Sequence, residues 1–169
     1  SGGVILAANH PSVLDGILLQ ALSPRPVRFL VAEDMYTHKI LNPIFKAFNC
    51  IPVYRTKTHN GEALRAAVAA LQAGDVIGIF PEGTTFHRGT LPEIKRGVAL
   101  LALKTGVPVV PVAFRGCIEA FPEGARVPRP LQLCMRYDKP AAYPKTALDP
   151  IPEPQVAQTI EAIRHRLLE

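Results

Sequence analysis

Apolar residues along this chain alternate between two kinds of pattern. Short continuous apolar runs at Val4 to Ala8, Val27 to Ala32, Ile51 to Tyr54, Val76 to Phe80 and Val109 to Phe114 read as strands buried in a sheet. Leu131 to Tyr137 reads as a further strand. Between these runs apolar residues return every three or four positions, as helices require. Leu14, Leu18 and Leu22 do so within Ser12 to Leu22. Leu64, Val68 and Leu71 do so in a helix expected from Asn60, its cap, to Ala73, with Gly74 as its stop. Gly97 to Lys104 reads as a helix halted near Gly106, and Pro154 opens a last one carrying Val156, Ile160, Ile163 and Leu167. Met35 to Phe48 is apolar at Tyr36, Ile40, Leu41, Ile44, Phe45 and Phe48, but Pro43 interrupts it. Asn42-Pro43 fits an N-cap followed by a first-turn proline, so two short helices are expected there. Strands alternating with helices predict an α/β fold, a central mostly parallel, mixed sheet flanked by helices. Neither a repeat nor an interdomain linker is visible, so residues 1–169 read as one domain, with a Pro/Gly/Arg-rich surface loop at 120–130.

Composition narrows the class. A chain of 169 residues, 48% hydrophobic and 20% charged, is neither a disordered tail nor a coiled coil. Seventeen prolines imply many stiff loops. No apolar run approaches the roughly 20 residues of a membrane-spanning helix, and no secretory signal is visible. The abrupt start at Ser1-Gly2-Gly3 reads as a domain cut from a longer, membrane-associated protein. Cys50, Cys117 and Cys134 have no metal-binding spacing and read as reduced, small buried residues of a cytosol-exposed chain. The net charge of +5 is uneven: residues 88–145 hold ten Lys/Arg against four Asp/Glu, and the remainder nine against ten. That stretch is either a solvated basic face or an attraction for phosphate, nucleic acid or an anionic membrane. Nucleic acid is disfavoured, because the interleaved aromatics and motifs of such proteins are missing.

Candidate chemistry concentrates at the ends of strands. Asn9-His10-Pro11-Ser12-Val13-Leu14-Asp15 lies at a strand-to-helix junction, where α/β folds bind ligands. His10 can serve as a general base if a partner fixes its tautomer, and Asp15 in the first helical turn can reach back to it. Ser12-x-x-Asp15 is equally a capping-box pattern, in which Asp15 only satisfies backbone donors. Ser12 reads as a cap, since the Gly-x-Ser-x-Gly elbow of a serine nucleophile is absent. Phe80-Pro81-Glu82-Gly83-Thr84-Thr85 is a second strand-end turn. Amides near Gly83 and Thr84 can hold an anion and Glu82 a hydroxyl, or Glu82 is simply a solvated loop carboxylate. Arg55, leaving the strand at Ile51, suits bidentate phosphate recognition or a surface ion pair. Lys95-Arg96-Gly97 at a helix start offers two cations beside a helix dipole, or a solvated turn.

In this order the motifs resemble the glycerolipid acyltransferase family, the lysophosphatidic-acid acyltransferases and their relatives. Asn9, His10, Ser12 and Asp15 match its first motif, Arg55 its second, Phe80 to Thr84 its third, and Val107-Pro108-Val109-Val110-Pro111-Val112 its fourth. The resemblance implies a glycerol-phosphate-acyltransferase-like fold and acyl transfer from acyl-CoA or acyl carrier protein to the free hydroxyl of a lysoglycerolipid. In it His10 is the base and Asp15 orients it. Arg55, Glu82, Gly83 and Thr84 bind the acceptor headgroup, and amides near Gly83 stabilise the oxyanion; Lys95 and Arg96, by their place at a helix start, are added as candidate substrate-binding residues. No metal or organic cofactor is implied. The implied partners are the lysolipid, the acyl thioester, the surface of a membrane at its cytoplasmic face, and acyl carrier protein as a candidate donor.

Two departures bear on the acceptor. Glu33 follows Val31-Ala32 where many members have lysine, and Thr85-Phe86 follows Phe-Pro-Glu-Gly-Thr where many have Arg-Ser. The latter is similar to some lysophospholipid and lyso-ornithine-lipid acyltransferases, so the acceptor stays open. A non-catalytic lipid-binding module is the alternative. The apolar stretch from Met35 to Phe48, flanked by Lys39 and Lys46, either dips into a lipid interface or packs on the sheet.

Overall fold

A computed structural model of the chain describes residues 2–54, 60–83 and 93–168. The strands are β1 (Val4–Ala8), β2 (Val27–Ala32), β3 (Ile51–Val53), β4 (Val76–Ile79), β5 (Val109–Arg115) and β6 (Cys134–Tyr137). The helices are α1 (Leu14–Leu22), α2 (Glu33–Tyr36), α3 (Asn42–Ala47), α4 (Asn60–Gln72), α5 (Gly97–Thr105), α6 (Cys117–Ala120) and α7 (Glu153–Leu168). The strands form one sheet in the order β3-β2-β4-β1-β5-β6, parallel except for the edge strand β6, as the alternating pattern predicts.

Strand alternation sends successive side chains to opposite faces. Ile5, Ala7, Ile77, Ile79 and Val109 pack on one face with Ala63, Ala67 and Leu71 of α4, Val98 and Leu101 of α5 and Ile163 of α7. Ala99 and Leu103 of α5 meet Val156 of α7 in a further cluster. Leu6, Ala8, Val27, Phe29, Val112 and Phe114 pack on the other face. Its cover is thinner: Leu19 of α1, Cys117 of α6, and the half-buried Tyr36 and Phe45 of α2 and α3.

Several boundaries differ from the sequence pattern. The first helix begins at Leu14, because Ser12 and Val13 form the turn that leads into it. Asn42 is inside α3, not its cap; Leu41 precedes the helix, and Asn42 Nδ2 donates to the Tyr36 carbonyl, 2.6 Å away, tying α3 to α2. The last strand begins at Cys134, not Leu131, because its partner ends: Arg115 pairs with Cys134, and Gly116 (φ +83°) then turns β5 away. The short helix α6 carries too few residues to show a period. Cys50 and Cys117 are buried as expected, but Cys134 is exposed on the edge strand. Gly74 (φ +96°) stops α4 as predicted. Among the described residues no helix is long and apolar enough to cross a membrane.

Candidate active site

The C-terminal edge of the sheet carries the site. As β1 ends, the Asn9 amide N–H still reaches the Val112 carbonyl at 3.3 Å. The Asn9 side chain then takes over the pairing: Nδ2 donates to the Phe114 carbonyl at 3.2 Å and Oδ1 accepts the Phe114 N–H at 2.7 Å. This latch holds the strand end that presents His10.

Asp15, in the first turn of α1, is fully buried. Its Oδ2 accepts the Ser12 backbone N–H at 2.7 Å and lies 3.2 Å from His10 Nδ1. The capping and orienting geometries are therefore not alternatives, since one oxygen makes both contacts. Ser12 supplies only a weak counterpart. Its Oγ donates to the Phe121 carbonyl at 3.2 Å and accepts the Leu14 N–H at 3.4 Å, leaving the Asp15 N–H to the Ser12 carbonyl. Behind the pair the Cys117 thiol, buried and next to Asp15, is pushed from 9.0 up to about 12, first by burial and then by that carboxylate. A carboxylate oxygen only accepts, so Nδ1 carries the hydrogen, and in the neutral imidazole the lone pair is on Nε2. His10 is 18% exposed, enough to meet a substrate.

The ring plane is fixed as well. His10 stacks on Phe80 with centroids 3.9 Å apart and 15° between planes, and Phe80 lies nearly parallel to Phe29 at 5.8 Å. Gly78, paired with Phe29 across β2 and β4, leaves the space: a Cβ there would lie 2.6 Å from the Phe29 ring and 2.7 Å from Val27. Asn9 and Phe80 fall inside the sequence motifs, but their positioning contacts run between strands and are not visible in the local pattern.

The second turn lies beside the first. Phe80 to Gly83 is closed by the Gly83 N–H donating to the Phe80 carbonyl at 3.0 Å, with Gly83 at φ +72°. That N–H is consumed by the turn, which removes it as the anion or oxyanion donor the motif suggested. Glu82 is 5% exposed, so it is not a solvated loop carboxylate. Lys95 joins this turn: its N–H donates to the Pro81 carbonyl at 2.7 Å and its stem packs against Gly83. Arg96 instead reaches α7, with Nη2 2.6 Å from Glu153 Oε1. Arg55 and Thr84 lie outside the described residues.

Residues 1–115 match the family described as Acyltransferase. Among curated relatives, a 1-acyl-sn-glycerol-3-phosphate acyltransferase of Bacillus subtilis is 25% identical over 115 residues, covering 68% of this chain and 56% of the relative. An N-acylphosphatidylethanolamine synthase of Arabidopsis thaliana is 32% identical over 132 residues, covering 71% and 46%. The chain thus spans about half the length of these relatives. A crystal structure of the 1-acyl-sn-glycerophosphate (LPA) acyltransferase PlsC from Thermotoga maritima superposes with a TM-score of 0.75 at 24% identity, over 99% of this chain and 66% of that one. This likeness is one of fold.

Proposed function

The chain belongs to the Acyltransferase family, and we propose that it transfers a fatty acyl group from a thioester to the free hydroxyl of a lysoglycerolipid. The observation that carries this reading is the imidazole held on one side by a buried carboxylate at 3.2 Å and on its face by a ring at 3.9 Å. His10 Nε2 takes the proton of the acceptor hydroxyl. The resulting alkoxide attacks the thioester carbonyl, and the tetrahedral intermediate collapses by breaking the C–S bond. The leaving thiolate recovers the proton from the imidazolium, whose charge Asp15 stabilises. No acyl-enzyme forms, and no metal or organic cofactor takes part. Glu82, Gly83 and Lys95 border the acceptor, with Arg55 and Thr84 completing its recognition, while Arg96 is set to a structural ion pair. Both acyl-CoA and acyl carrier protein remain donors to be tried.

The reaction takes place at a membrane surface. Of the Met35–Phe48 stretch, Tyr36 and Phe45 do pack on the sheet. Ile40 and Ile44, however, are 76% and 50% exposed, beside Lys39 and Lys46. Ile17 of α1, 63% exposed, belongs to the same thin helical cover. Such side chains can enter a lipid interface while the lysines meet anionic headgroups.

The test is thioester consumption with a lysolipid panel and both donor types, products being identified by mass spectrometry. His10→Ala is expected to keep its thermal melt and lose at least about 100-fold in turnover, the typical worth of a general base. Near-normal turnover in that variant would remove the base assignment. A folded wild-type chain that binds lysolipid but consumes no thioester would make it a lipid-binding module.

A further inference from the structure

A cavity of about 180 Å³ opens at the same edge of the sheet but on its opposite face, between β5, β6 and the end of α7. Asn9, Arg115, Cys134, Arg136, Asp138 and Arg166 line it. Antiparallel pairing explains the gathering of charge. Ala113 faces Arg136 and Arg115 faces Cys134, so both arginines project from one face of the β5–β6 ribbon. Arg166 of α7 approaches from above and is partly balanced by Asp138 at 3.9 Å. Among the described residues no carboxylate lies within ion-pair distance of Arg115 or Arg136. Three arginines and one aspartate thus line the cavity. Its volume is more than ten times the roughly 15 Å³ that admits one water molecule.

We propose that this cavity is an anion subsite for the phosphate end of the thioester donor, the phosphopantetheine arm common to coenzyme A and acyl carrier protein. The assignment to the donor rests on the acyl-transfer reading. Distance separates it from the acceptor. In a lysoglycerolipid only a few bonds link the headgroup phosphate to the reacting hydroxyl, so that phosphate must bind close to His10. Strand spacing puts β6 about 10 Å from β1, across β5. The imidazole stacks on Phe80, which belongs to the α1-side cluster, whereas the arginines face α7. A phosphate in the cavity and a reacting atom at His10 must therefore be joined by a long, slender linker passing over the sheet edge. Phosphopantetheine has that form. Asn9 touches the cavity while its neighbour carries the base, so one strand end aligns both. Paired guanidiniums suit phosphate because they present several donors in a fixed fork.

Cys134 provides a direct reporter, since it lines the cavity and is exposed while Cys50 and Cys117 are buried. Burial also pushes both buried thiols up, which keeps them protonated and slow to react. The experiment follows the labelling of Cys134 by a disulfide reagent in the 169-residue chain, with desulfo-coenzyme A, glycerol 3-phosphate and inorganic phosphate as probes. Desulfo-coenzyme A is expected to slow labelling at the lowest concentration of the three. In an Arg115→Gln/Arg136→Gln chain with an unchanged melt, the concentration it needs should rise about tenfold or more, as loss of charge-assisted hydrogen bonds implies. In the acyl-transfer assay the same chain should show a raised KM for the thioester and an unchanged KM for the lysolipid. Equal potency of inorganic phosphate, stronger protection by glycerol 3-phosphate, no protection by desulfo-coenzyme A, or undiminished protection in the double variant would each overturn the proposal. Protection without turnover on any lysolipid would instead remove the acyl-transfer reading and leave a phosphopantetheine site.

Discussion

Asp15 Oδ2 is shared between a backbone amide and an imidazole, which makes two substitutions at this residue separable. In Asp15→Asn the amide oxygen can still accept the Ser12 N–H, now 2.7 Å from Oδ2, so helix entry is largely preserved. The negative charge that would stabilise an imidazolium in the proposed mechanism is gone. Asp15→Asn is therefore expected to melt within a few degrees of the wild type and to lose on the order of 100-fold or more in turnover. Paired melting curves and thioester-consumption rates check this. A large fall in stability with turnover per folded molecule intact would mean that capping is the only work Asp15 does. The pairing of His10 with Asp15 was legible because both lie within seven residues, on either side of the turn that leads from β1 into α1. The Asn9 latch was not, because Phe114 is 105 residues away and only the β1–β5 register brings it alongside.

Among the elements, the strands were the most legible, because continuous apolar runs are what a sheet covered on both faces demands. The start of β6 was hidden because a strand stops where its partner stops, a property of the pair. Likewise Arg115 and Arg136 look like unrelated surface charges until antiparallel pairing sets them on one face. The β2–β4 pair passes its geometry to the site through Gly78, Phe29 and Phe80. In Gly78→Ala the new methyl meets Phe29 at 2.6 Å, so the ring must move and Phe80 with it. The expected cost is about 1–3 kcal/mol in urea denaturation, the usual range for overpacking, with a fall in turnover that exceeds the loss of folded protein. At the opposite extreme of packing, Ile40 and Ile44 contribute little to the core. Ile40→Ser/Ile44→Ser should keep the melting temperature and reduce co-sedimentation with anionic phospholipid vesicles several-fold. Unchanged sedimentation would move the lipid contact to another face.

For the molecule as a whole, burial of titratable groups sets the alkaline limit of stability. Cys117 is raised to about 12, and burial also raises Cys50, Tyr137 and Tyr143. Well below pH 9 these thiols are protonated in the folded and the unfolded chain alike, and contribute no slope. Between about 9 and 12 the unfolded chain releases the Cys117 proton while the folded chain retains it, so stability falls as pH rises. Urea midpoints should accordingly decline from pH 8 to pH 10.5, and the decline should be shallower in Cys117→Ala. The two faces of the sheet differ in another respect. One is roofed by three substantial helices, the other by a thin layer studded with exposed isoleucines. Were such a plate to rest on a bilayer through its thin side, the proposed reactive rim would stand edge-on. On the proposed acyl-transfer reading, acceptors would arrive by lateral diffusion within one leaflet, and the spent carrier would depart into bulk water without crossing hydrocarbon.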